Sequence, residues 1–191
     1  MKNKNLILKL IKNEQLSTCS AKKIACIIFD EKDNFIFSLG HNHSINKSEN
    51  CNDKFIKINN QWYYKENNDK DWEKDLTNHK HKEWSESNEV HAEMEAINNL
   101  KNICFFNFVK RIYFCYRFRK SMKDNTLSCI VTYSPCKNCI KSLISFGIKN
   151  IYYFYEFDDI GNSKKICFDN AIRLYKIRGK QLSFYEKYKT Y

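Results

Sequence analysis

The chain has 191 residues, 42% hydrophobic and 29% charged, which is the usage of one folded domain and excludes wholesale disorder. Four glycines and a single proline, Pro135, exclude collagen-like, Pro-rich and flexible-linker architectures. The net charge of +11 is confined to one half: residues 1–100 carry 15 Lys, no Arg and 16 acidic residues, whereas residues 101–191 are +12 and hold all five Arg. Such a half suits a phosphate-bearing partner, although solvated lysines explain it equally.

Met1 to Leu16 is interrupted by Lys2, Lys4, Lys9 and Lys12, so it has no apolar core of a secretory leader and reads as an amphipathic helix. No apolar run approaches the ~20 residues that cross a membrane. The expectation is a cytoplasmic protein, in which nine cysteines point to metal rather than to disulfides.

Lys23–Asp30 is a continuous apolar run and predicts a buried strand; Asp33-Asn34 marks a turn, and Phe35–Leu39 a second strand. A polar insertion follows, about 41–84, too long to remain ordered without an anchor. Glu89–Leu100 predicts a helix. The aromatic and basic insertion, about 105–125, contains FFNFVKRIYFCYRFRK, whose alternation suits an added strand or a subunit contact. Its Arg111, Arg117 and Arg119 among aromatics also suit stacking on nucleic acid. Leu127–Tyr133 predicts a strand, Cys136–Phe146 a helix ending at Gly147, and Lys149–Tyr155 a strand. Lys164–Tyr175 predicts a helix closed by Gly179, and Gln181–Tyr185 a last strand. Alternating helices and strands after a hairpin imply α/β layers in a single domain spanning 1–191.

Two segments carry chemistry: His91-Ala92-Glu93 and Pro135-Cys136-Lys137-Asn138-Cys139. Pro135 is suited to a first helical turn, which puts Cys136 and Cys139 on one face where the helix N-terminus favours thiolates. Two thiolates and His91 supply three of zinc's four positions and leave one open, as in a catalytic centre. Glu93 reaches the same cleft without being a ligand, placed to move protons. A lone C-x-x-C would equally be core or half a zinc finger. Combined with H-x-E it forms the signature of zinc nucleobase deaminases.

At these residues the sequence resembles the deoxycytidylate (dCMP) deaminases of the cytidine deaminase superfamily, especially the phage type. The resemblance rests on TYSPCKNCIKSLISFGIKNIYY (132–153), EWSESNEVHAEMEAI (83–97) and the hairpin that begins at Thr18-Cys19-Ser20. It implies a three-layer α/β/α fold around a five-stranded mixed sheet. It implies hydrolytic deamination of dCMP to dUMP, with Glu93 activating water for attack at C4 and delivering protons to N3 and the departing ammonia. It also implies a second, structural zinc held by Cys19, Cys51, His81 and Glu89, with His79 an alternative to His81. Asn42 maps to the family's sugar contact and Phe157 to an aromatic near the substrate; the Gly- and Pro-rich residues that usually follow the Asn are missing, and Ser44 and Lys47 suit a 5′-phosphate as hydroxyl donor and point charge. The family is often oligomeric. His41 and His43 read more simply as loop residues than as ligands. Two other functions remain open: deamination of tRNA or single-stranded nucleic acid, and a zinc-stabilised binding protein without catalysis. Cys26, Cys104, Cys115, Cys129 and Cys167 sit in apolar strings and read as small buried hydrophobes.

Overall fold

The structure is a computed structural model that describes residues 4–19, 21–46, 49–59, 61–66, 70–77, 79–101, 108–157 and 160–189. Helix α1 (Lys4–Glu14) buries Leu6, Ile7, Leu10 and Ile11. Strands β1 (Ala25–Asp30) and β2 (Ile36–His41) form the expected hairpin, turning at Asn34 with φ 61°. Strands β8 (Leu127–Tyr133), β9 (Asn150–Tyr155) and β10 (Arg173–Lys176) complete one five-stranded sheet in the order β10-β9-β8-β1-β2. β1 runs antiparallel to β2 and β8, while β8, β9 and β10 are parallel, so the sheet is mixed as expected.

Both faces of the sheet are buried at its centre, which is why β1, β8 and β9 are apolar runs rather than alternating ones. Cys26, Ile28, Cys129, Val131, Ile151 and Tyr153 pack with helices α4 (Ala92–Lys101), α6 (Lys137–Ser145) and α7 (Ile160–Asp169). Ala25, Ile27, Phe29, Ile130, Tyr152 and Phe154 pack with α1 and α8 (Lys180–Lys189). Side chains two residues apart on one strand therefore feed one core, and their neighbours feed the other. That division produces the three layers.

The polar insertion is built, not structureless. Strand β3 (His43–Ser44) pairs with β7 (Glu89–Val90), ahead of α4. Between them lie α2 (Cys51–Lys54), a three-stranded sheet of β4 (Phe55–Ile58), β5 (Gln61–Tyr64) and β6 (Glu73–Lys74), and α3 (Lys80–Asn88). Its small core is Cys19, Cys51 and Phe55, flanked by Trp62, Tyr64 and Trp84.

Several expectations are corrected. Glu89 and Val90 are extended, because β3 pairs with them, and the helix begins only at Ala92. The second insertion is a helix, α5 (Phe108–Lys123), not a strand. Its Phe114 and Phe118, at helical spacing, meet Phe37 edge-on at 5.2 and 5.3 Å, and its Arg117 lies over the Phe35 ring and pairs with Asp33. Those three side chains are thus spent on the fold rather than on nucleic acid. The stretch 164–175 holds two elements: α7 ends at Asp169, Ala171 turns the chain at φ 53°, and Arg173–Lys176 adds a parallel edge beside Asn150–Tyr153. The last element is the helix α8, because Tyr185 must face α1: it is fully buried, and its hydroxyl donates to Glu14 Oε2 at 2.5 Å. Pro135 precedes α6 rather than entering its first turn; Cys136 is the N-cap. Among the remaining cysteines, Cys26, Cys129 and Cys167 are buried but Cys115 is exposed, and Cys104 lies outside the described residues.

One contact positions the helix that carries His91 and Glu93. Gly40 of β2 lies so close to α4 that a Cβ there would stand 2.2 Å from Ala92 O and 2.3 Å from Ala96 N. Only a residue without a side chain permits that approach. Gly40→Ala should therefore destabilise the protein by about 3 kcal/mol, the upper range for overpacking. A lower urea midpoint with an unchanged slope checks it; an unchanged midpoint contradicts it.

Candidate metal centres

His91 immediately precedes α4, and Cys136 and Cys139 begin α6, so two helix starts from opposite halves of the chain meet at one point. His91 Nδ1 lies 3.4 Å from Cys139 Sγ and 3.8 Å from Cys136 Sγ. A tetrahedral zinc with usual bond lengths separates a nitrogen from a sulphur by about 3.6 Å, so the spacing fits. Cys139 is buried, Cys136 partly so, and His91 is exposed, which leaves one side of the cluster open. With no cation present, Cys136 is held down to about 3, first by hydrogen bonding from Cys139 and then by His91. Cys139 is pushed up by sharing its proton with Cys136 and by burial, and His91 rises to about 9 against the Cys136 sulphur. The cluster offers two sulphurs and an imidazole nitrogen, donors that suit a soft or borderline cation.

Glu93 lies beside this cluster and is only 4% exposed. Burial pushes its carboxyl up, opposed by the nearby His91 charge. Burial disfavours the ionised form of such a carboxyl relative to an exposed one.

The insertion brings a second group together. Cys19, Cys51, His81 and Glu89 place their donor atoms within 4.8 Å of one another. The two sulphurs are 3.8 Å apart, and His81 Nε2 lies 3.2 Å from Cys51 Sγ and 3.8 Å from Cys19 Sγ. A tetrahedral zinc separates two thiolates by about 3.8 Å. The His81 ring is stacked on Trp62 at 4.7 Å and met edge-on by Phe55, which fixes its orientation. His79, the alternative, stands outside this group at the N-cap of α3. Glu89 Oε1 is buried with no hydrogen-bond partner among the described residues. Burial and the adjacent Cys19 sulphur push Glu89 to about 7, and hydrogen bonding with Cys51 followed by burial pushes Cys19 to about 12. An orphaned buried oxygen beside two thiols is costly unless a cation compensates it. The donor set thus fits zinc, with four donors and no open position.

The residues expected at the substrate are placed as follows. Asn42 is buried and its amide is occupied internally: Oδ1 accepts from Ser17 Oγ and from the Ile24 N–H, and Nδ2 donates to Lys22 O. Ser44 is buried, opposite Glu89 in the β3–β7 ladder. Lys47 lies outside the described residues. Phe157 is half-buried, and its N–H donates to Ser134 Oγ. The Lys22 ammonium stands 4.6 Å from the Phe157 ring centre and 5.1 Å from that of Tyr133. Nothing in the sequence distinguishes Lys22 from its neighbour Lys23. Glu95, also missed, lies one helical turn after His91 and meets His41 and His43; the i, i+4 spacing was its available signal. Among the described residues no helix is long and apolar enough to cross a membrane.

The deoxycytidylate deaminases of Enterobacteria phages T2 and T4 are each 35% identical over 78 residues, 41% of this chain and 32% of theirs. The matched stretch thus spans about a third of those relatives. The fold is similar to that of the dCMP deaminase of cyanophage S-TIM5, solved in complex with dCMP and dUMP: TM-score 0.51, 16% identity, 91% of this chain and 94% of that one. It is likewise similar to the Aspergillus oryzae Rib2 deaminase, with TM-score 0.51, 12% identity, and 97% and 95% covered. Residues 1–155, which contain both clusters, match the family described as the cytidine and deoxycytidylate deaminase zinc-binding region, and the chain belongs to that family.

Proposed function

We propose that the protein hydrolyses dCMP to dUMP, releasing ammonia, at the His91/Cys136/Cys139 cluster. The observation that carries this reading is the pairing of an open, sulphur-rich cluster with a desolvated carboxyl, Glu93, that is not among its donors. His91, Cys136 and Cys139 are assigned as ligands of a zinc ion. Zinc, when held there, supplies a Lewis acid that brings water within reach of deprotonation at neutral pH.

Glu93 moves the protons. It takes one from the attacking water and delivers it to N3 of the cytosine. It then carries the second from the new C4 hydroxyl to the departing amino group, so the products are uracil and ammonia and the carboxylate is regenerated. Burial suits both halves of that cycle, because a carboxyl pushed up from its ordinary value is a better base and can hold the proton between transfers. The Cys136 N–H, at the N-terminus of α6, is assigned to the charge that develops on the C4 oxygen. Phe157 with the Lys22 ammonium above it is assigned to the nucleotide, and Asn42, whose amide is spent within the protein, to shaping the wall beside it. The names of the phage relatives favour the deoxynucleotide monophosphate as substrate. A single domain, a cytoplasmic site of action and a homo-oligomer belong to the same reading.

Cys19, Cys51, His81 and Glu89 are assigned to a second, structural zinc, supported by the orphaned Glu89 Oε1 and the closed donor set. It joins the segment before β1, the insertion and the lead into α4.

Ammonia release from dCMP, deoxycytidine, cytidine and an oligonucleotide, measured side by side, tests the substrate. The expected order puts dCMP well ahead of deoxycytidine; turnover of polynucleotide alone overturns it. Glu93→Gln should lower kcat by about 10²–10⁴-fold with zinc content unchanged, and retained turnover would remove Glu93 from the mechanism. Cys51→Ala should remove one zinc per chain of two and lower the melting temperature. One zinc per chain in the intact protein sinks the second site.

A further inference from the structure

We propose that His41, His43 and Glu95 form a third cation site, taking a divalent transition-metal ion of the zinc class. The three side chains come from the end of β2, from β3 and from α4, and their donor atoms lie within 4.8 Å of one another. His41 Nδ1 is 3.4 Å from Glu95 Oε2, and His43 Nδ1 is 3.7 Å from the same oxygen. An ion bound by nitrogen and oxygen at tetrahedral angles separates its donors by about 3.4 Å.

The frame around the site holds it in place before any ion arrives. The His41 N–H donates to Glu95 Oε2 at 2.5 Å, which pins the carboxylate. His43 is paired with Val90 in the β3–β7 ladder, and Gly40 holds β2 against α4. The side chains are between 20% and 26% exposed, so an ion has an entry path and room for water as a further ligand. Burial is the largest influence on His41 and holds its ring towards the neutral form that binds metal. His43 Nδ1 also lies 3.1 Å from the His41 carbonyl oxygen, which limits how its ring can turn.

The donor set differs from both thiolate clusters. Two imidazoles and a carboxylate contain no sulphur, so the site suits Zn²⁺, Co²⁺ or Ni²⁺ rather than the softest cations. Its ion should exchange faster than those held by two thiolates. It lies one turn of α4 beyond His91, where the Glu95 N–H bonds to His91 O at 3.0 Å.

Cobalt titration of the full chain, first loaded with zinc and then freed of its exchangeable metal by brief chelation so that only sulphur-held zinc remains, tests the proposal. The wild type should take up one additional Co²⁺ per chain, with visible ligand-field bands and no thiolate-to-cobalt charge transfer. His43→Gln and Glu95→Gln should each lose that equivalent while keeping the zinc content of the wild type. Glu95→Gln retains an oxygen that accepts the His41 N–H, so its loss of cobalt reports the ligand rather than the fold. Cobalt entering a thiolate cluster announces itself by charge transfer, which separates failure of this site from failure of the two-zinc reading. Total metal per chain should still differ by one between wild type and variant, whichever ions fill the sulphur sites. No additional uptake by the wild type, or uptake that survives both substitutions, overturns the proposal.

Discussion

The structure turns on five residues, Glu89 to Glu93, where an extended pair becomes a helix. Glu89 joins the insertion's cluster, His91 joins the cluster at α6, and Glu93 is buried beside the latter. One short segment can serve two centres only if its backbone is held from both sides. The β3–β7 ladder holds it on one side and the close approach of Gly40 to α4 on the other. Moving the helix by the width of a methyl group would displace His91 from Cys136 and Cys139, whose positions are set independently by β8 and the start of α6.

The two proposed zinc centres differ because their surroundings differ. Around Cys19, Cys51, His81 and Glu89 the side chains of Phe55, Trp62 and Trp84 close the space, and a fourth donor completes the set. A polar segment of that size has little apolar surface with which to offset its lost chain entropy, and a cation held there would supply what its core lacks. At α6 there are three donors, an exposed His91 and a desolvated carboxyl, which leaves room for chemistry. Pro135 contributes at one remove: its carbonyl accepts from the buried Ser163 hydroxyl, which ties the lead into α6 to α7.

The site was more legible in the sequence than the fold around it. H-x-E and P-C-x-x-C demand particular residue types at fixed spacing, so His91, Glu93, Cys136 and Cys139 stand out without any structure. The central strands were also legible, since both their faces are buried and they read as apolar runs. What was hidden depended on partners distant in sequence. Arg173–Lys176 is a strand only because Asn150–Tyr153 lies beside it. Tyr185 sits on a helix because its hydroxyl reaches Glu14, 171 positions away. Phe114 and Phe118 satisfy a helical spacing and an alternating one equally, and Phe37 decides between them. His41 and His43 looked like ordinary loop residues until Glu95 was seen to meet both. The positive charge of the C-terminal half is only partly accounted for: Arg117 serves the β1–β2 hairpin through Asp33, while Lys137 and Lys141 face solvent on α6.

The central claim is that cations held by the two sulphur-containing clusters lock the insertion and α6 onto α4, over a sheet that stands without them. Hydrogen exchange, followed by mass spectrometry on zinc-loaded and chelator-treated protein, tests it most directly. Removal of the metal should abolish protection in residues 49–90 and at the start of α6, while β1, β8 and β9 remain protected. Equal protection of those segments with and without metal would contradict the account.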